Sequence, residues 1–148
     1  MSEIPLLRTL HVLGAVLLLG NVIVTGLWAA LLWRERAGIS YRRVARVILW
    51  ADLAFTVLGG TLLTMTGIML VIGGGYDWRA TPWIVHGILA LGIGTAIWLA
   101  VLVPDQFRMA RWADDDPRYV GVFRRWTVVG WGTTLLLLFG LWAMVSKS

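Results

Sequence analysis

Cysteine is absent from this sequence of 148 residues, which excludes disulfides, thiolate metal sites and iron–sulfur clusters. Charge is scarce: 14% of residues are charged, against about 25% in ordinary soluble domains. There is no glycine-rich phosphate loop, no Ser-His-Asp arrangement and no HExxH helix, so hydrolase and nucleotide-binding readings have no residues to rest on. Histidine occurs twice, as His11 and His86. Apolar surface is abundant instead, with 59% of residues hydrophobic and a mean hydropathy of +0.79, more than a water-soluble core of this size can absorb.

Four apolar runs, at about 4–33, 44–72, 81–103 and 122–145, are each long enough to cross about 30 Å of hydrocarbon. Backbone groups in lipid must be bonded within their own segment, so the runs are expected to be helices. The fold expected is all-α, an up-and-down bundle of four transmembrane helices forming one integral membrane domain over residues 1–148. The opening Met-Ser-Glu-Ile-Pro has no basic leader and no small-residue cleavage site, so the first run is expected to remain as a span. The connections are a basic turn, a short Gly73-Gly74-Gly75-Tyr76-Asp77 loop and a charged loop from Asp105 to Arg118.

The net charge of +5 comes from arginines at the ends of the apolar runs, which points to lipid headgroups and not to nucleic acid. The first and third connections carry five arginines each: Arg34, Arg36, Arg42, Arg43 and Arg46, then Arg108, Arg111, Arg118, Arg124 and Arg125. The other side has Arg8, Arg79 and Lys147. The positive-inside rule then puts both termini outside. Trp33, Trp112 and Trp126 read as anchors at the inner interface, and Trp78, Trp83 and Trp142 as anchors at the outer one. A faint duplication is visible in His11 against His86, and in Tyr41-Arg42-Arg43 against Phe123-Arg124-Arg125.

Both histidines fall inside predicted helices, about seven and five residues from the outer ends, which places them at one depth, roughly 8–10 Å below the surface. The first and third helices of such a bundle stand at diagonal corners, roughly 13 Å apart, a gap suited to an iron between two imidazoles with a porphyrin around it. Gly14 and Ala90 share the histidine faces and leave room, Thr66 approaches the same level, and Arg8 and Arg79 stand where propionates would end. The competing account is that small residues let helices approach closely and each histidine bonds a neighbour. Nearer the inner side, Asp52 lies level with Asn21 and Thr25, as a proton-handling group, as a bond fixing helix register, or as a partner of Arg46. Asp114-Asp115-Asp116 reads as a solvated charge network and not a calcium site.

Leu10-His11-Val12-Leu13-Gly14-Ala15-Val16, Leu102-Val103-Pro104 and Leu141-Trp142-Ala143-Met144-Val145-Ser146-Lys147 resemble an uncharacterised family of predicted bacterial four-span integral membrane proteins, and more distantly the copper-resistance D type and the HemJ-type protoporphyrinogen oxidases. The resemblance implies haem b at His11 and a bacterial inner membrane. The tryptophan that often follows this histidine is Leu17 or Leu18 here. The third-helix lysine of the oxidases has no counterpart, so protoporphyrinogen oxidation is not implied. His86 as second axial ligand rests on depth alone.

The expectation is a haem-b-type protein with His11 and His86 as ligands, serving electron transfer or a redox step on a lipophilic substrate such as a quinone, with a membrane redox partner. Another tetrapyrrole or copper would use the same residues. The alternatives are an accessory subunit of a larger membrane complex that contacts pigment or lipid, and a copper- or small-solute-handling protein using Asp52 and the histidines.

Overall fold

The computed structural model describes residues 3–147; Met1, Ser2 and Ser148, which belong to the expected retained start and to the 1–148 domain, lie outside them. The chain is an all-α four-helix bundle built from α1 (Glu3–Arg34), α2 (Tyr41–Gly73), α3 (Pro82–Ile97), a π-helical turn (Trp98–Leu102), α4 (Val103–Arg111) and α5 (Tyr119–Ser146). The α3–α4 run is one continuous span, so four helices of 28 to 33 residues are long and apolar enough to cross a membrane. At 1.5 Å per residue they measure about 42–50 Å, more than the hydrocarbon requires, and their ends reach the headgroup level. The termini and the α2–α3 loop lie at one end, called here the terminal end. The α1–α2 and α4–α5 loops lie at the other, the arginine-rich end.

The spans pair as two hairpins closed by small residues. A Cβ added at Gly14 would lie 2.8 Å from the Leu63 nitrogen, and one at Gly59 2.8 Å from the Leu18 nitrogen, so α1 and α2 meet nearly backbone to backbone. On the other side Gly140 lies against Ala90 and Gly87 under Met144, which joins α3 to α5. The hairpins are tied together mainly at the arginine-rich end, where α4 packs on α2 and α5 on α1. Among the described residues, α3 packs on neither α1 nor α2.

The largest buried cluster is at this tied end. Trp33 stacks on Phe123 with ring centroids 4.0 Å apart, and Tyr41 meets both edge-on. Tyr41 donates its hydroxyl to the Ala29 carbonyl at 2.7 Å, and Tyr119 donates to that of Met109 at 2.9 Å. Each tyrosine opens a helix and bonds back to the helix before it, so Tyr119, rather than Phe123, is the structural counterpart of Tyr41. These bonds also explain why α2 and α5 each start three residues ahead of the apolar runs, at Tyr41 and Tyr119. Trp126, expected as an interface anchor, is 7% exposed within this cluster, and Trp33 and Trp112, partly buried, pack against it. The outward faces carry exposed Val12, Val16, Val47, Leu58 and Ile68 among many others, the belt expected of a surface solvated by lipid.

The third span departs most from expectation. The predicted loop from Asp105 is helical as far as Arg111. Pro104 has no N–H and its ring crowds the carbonyl four residues back. The turn before it widens, and the Val103 N–H bonds the Trp98 carbonyl, five residues back. One extra residue in a turn advances everything after it by about 100°, and the advanced turn points Asp105 and Gln106 inward, 0% and 1% exposed.

Candidate functional site

Asp52, 5% exposed in α2, is the centre of a polar layer drawn from three helices. Its Oδ1 accepts from Asn21 Nδ2 at 2.6 Å and lies 3.1 Å from the Thr25 hydroxyl, whose single hydrogen it shares with the Asn21 carbonyl at 2.8 Å, both residues on α1, while its Oδ2 accepts from Gln106 Nε2 on α4. Asn21 Nδ2 also reaches Thr56 at 3.3 Å. Asp52, Asn21 and Thr25 thus come together at the level their spacing predicts, as an Asp–Asn and Asp–Thr arrangement. Arg46 does not take part: it donates to the Ala110 carbonyl at 3.4 Å. Sequence reasoning missed Gln106, which it had assigned to a loop.

Above this layer, toward the terminal end, a cleft of about 400 Å³ opens between the two hairpins. Asp52, Thr25 and Thr56 border it at its polar end; Trp98, Trp126 and Trp131 contribute indoles. Thr61, Thr64 and Thr95, also on its lining, are exposed, so the cleft opens at the flank of the bundle between α2 and α3. Four of its eight threonine hydroxyls stand within bonding distance of carbonyls of their own helices, Thr25 of Asn21 at 2.8 Å, Thr64 of Gly60 at 2.8 Å, Thr133 of Val129 at 2.8 Å and Thr134 of Gly130 at 2.9 Å. What they present inward is methyl groups and oxygen lone pairs. A second void of about 10 Å³, the size of one water, lies below, between Gln106 and Trp126. Gln106 Oε1 and Trp126 Nε1 are buried there without a protein partner, an acceptor and a donor.

The histidines lie farther toward the terminal end, and neither borders the cleft. His11 is placed against α2 by Thr66 and Gly67: its Nδ1 stands 3.0 Å from the Thr66 hydroxyl oxygen, and a Cβ at Gly67 would come 3.1 Å from its ring. The Thr66 hydroxyl donates to the Leu62 carbonyl at 2.6 Å, so its oxygen accepts from Nδ1, and Nε2 keeps the lone pair a metal would use. Gly14 packs into the α1–α2 contact, and Ala90 into the α3–α5 contact. His86 lies on the other hairpin, its ring 5.7 Å from that of Phe139. Arg8 is exposed, and the Arg79 guanidinium sits 5.0 Å over Trp78. Among the described residues, no three His, Asp or Glu side chains gather to hold a metal ion.

At the arginine-rich end a second buried carboxylate, Asp105, takes a bidentate pair from Arg125 at 2.9 and 2.5 Å and a further bond from Arg108 at 2.6 Å. The Asp114–Asp116 triplet is a surface charge network: Asp114 accepts from the Arg42 backbone N–H at 2.6 Å, and Asp116 pairs with Arg118 at 2.8 Å. The Arg118 guanidinium holds the Asp116 carboxyl down at about 2.

Four apolar spans, a lipid-facing belt and a buried carboxylate layer define an integral membrane protein in contact with the bilayer. The chain belongs to the family described as predicted integral membrane protein (DUF2269), whose model matches residues 5–148. No match is found among curated proteins or among solved structures.

Proposed function

We propose that this protein takes a lipophilic, ring-bearing small molecule from the bilayer and holds it in the cleft between the hairpins, its polar end toward Asp52. The cleft carries the reading: its volume suits a small organic ligand, its mouth lies between α2 and α3 among lipid-facing side chains, and Asp52, a carboxyl among neutral lining residues, stands at one end. Quinones belong to this class, and a redox step on such a substrate is the chemistry the site would serve. Decylubiquinone added to the chain in nanodiscs should quench tryptophan fluorescence saturably, through Trp98, Trp126 and Trp131. Thr61→Phe, which fills the mouth, should abolish the saturable part. Quenching that is unsaturable, or equal in the variant, removes the reading.

Haem b is a second reading, favoured by one observation: the Thr66 bond orients His11 and leaves Nε2 available, as outer-shell partners of metal-bound histidines do. His11, and His86 as second ligand, would hold the iron, and a haem supplies one-electron transfer when bound. Absorption spectra of the purified protein test it. Retention of full Soret intensity by the His11→Ala, His86→Ala double variant, or no Soret band in the native protein, ends it.

We place the protein in a bacterial inner membrane with the arginine-rich end in the cytoplasm, on the strength of ten arginines at that end against three basic residues at the other. Alkaline phosphatase fused after Ser148 should be active, and inactive when fused after Gly38.

A further inference from the structure

We infer that the cleft selects a lipophilic cation, an ammonium or phosphonium centre carried on an apolar body, with Asp52 as its counter-ion. The inference rests on the reading of the cleft as a ligand site and adds the sign of the ligand's charge.

Both carboxylate oxygens of Asp52 are occupied as acceptors, one by the Asn21 amide and the Thr25 hydroxyl, the other by the Gln106 amide. These donors are neutral. They satisfy lone pairs, and when the carboxyl is ionised they leave its negative charge without a balancing one. Arg46, six residues before Asp52, donates to Ala110, and Arg108, on the α4 that packs on α2, and Arg125, on α5, bind Asp105. Among the described residues no cationic side chain forms an ion pair with Asp52. An intramembrane carboxylate is costly without an opposite charge, and Asp52 borders a cleft that opens at the lipid-facing flank of the bundle.

The walls point to the same sign. Trp98, Trp126 and Trp131 border the cleft; indoles attract a desolvated cation through their faces, and the buried N–H groups of Trp98 and Trp126, which have no protein acceptor, would meet an acceptor on the ligand's body. The oxygens of Thr64, Thr133 and Thr134 add lone pairs, with their hydrogens turned to backbone carbonyls. No arginine or lysine lines the cleft. Access through the α2–α3 flank requires the cation to be lipophilic, which excludes metal ions and small hydrophilic amines as the natural class.

Tetraphenylphosphonium and tetraphenylborate share a shape and differ in sign, so the intact protein in zwitterionic nanodiscs separates charge from size, with empty nanodiscs subtracted. The phosphonium should bind saturably and the borate should not. Asp52→Asn should weaken phosphonium binding by about tenfold or more, and Asp52→Glu should retain it. Equal or tighter borate binding by the unaltered protein overturns the inference without any variant having to fold. Phosphonium binding that is unchanged in a folded Asp52→Asn protein also overturns it. If decylubiquinone binds and the phosphonium does not, the cation inference fails and the cleft stands; if no probe binds, the cleft reading fails first.

Discussion

At the scale of single residues, glycines differ by what faces them. Gly14 stands where a side chain would strike the Leu63 backbone, while Gly20 on the same helix has nothing within 4 Å. Gly14→Ala should therefore destabilise the protein by about 1–3 kcal/mol, and Gly20→Ala should stabilise it by about 0.5–1 kcal/mol; unfolding in mixed micelles measures both. Asp116 makes a prediction in pH. Its carboxyl is depressed to about 2 by Arg118, so what this pair lends the loop is fully present above the ordinary carboxylate value near 3.8 and is lost as pH falls through about 2. Arg118 is exposed and Asp116 half-buried at the surface, and the effect is local to the loop. An NMR titration should place the Asp116 midpoint near 2, and Arg118→Gln should return it to the usual carboxylate range.

At the scale of elements, the third span shows how a helix is re-aimed by one proline. The widened turn before Pro104 brings Gln106 under Asp52, and the resulting bond joins the two hairpins across the bundle. Gln106→Leu leaves Asp52 Oδ2 without its donor and should cost about 1–3 kcal/mol of stability. The same change at its exposed neighbour, Phe107→Leu, should stay within about 0.5 kcal/mol. This span is also where sequence reading met its limit. Four helices were legible because unbroken apolar length leaves a lipid-embedded backbone no other structure, and the shared level of Asp52, Asn21 and Thr25 followed from counting residues along them. Asp105 and Gln106 read as loop residues because their partners, Arg125 and Asp52, come from other helices. Trp33 and Trp126 read as interfacial because hydropathy reports depth and not which face of a helix meets its neighbour. The cleft was not legible at all, since it arises from α2 and α3 failing to pack on one another.

For the molecule as a whole, the two hairpins are joined at the arginine-rich end and parted along one flank toward the other. The chain has no cysteine of its own, so single thiols report the flank without background. Thr61→Cys and Thr95→Cys should react faster with a membrane-soluble maleimide than with a charged one of similar size, and a lipophilic ligand should slow both. Preference for the charged reagent would mean that water, not lipid, fills the opening.

The polar layer has a consequence for how the molecule is made. A ribosome delivers α1 and α2 well before α4, so the newly inserted first hairpin holds Asp52 with its Asn21 and Thr25 partners while Gln106 is still to be synthesised. Until the third span arrives, one oxygen of that carboxylate faces the bilayer interior unmet. The nascent hairpin is then the form most in need of an insertase or a neighbouring helix, and the form a quality-control protease would recognise first.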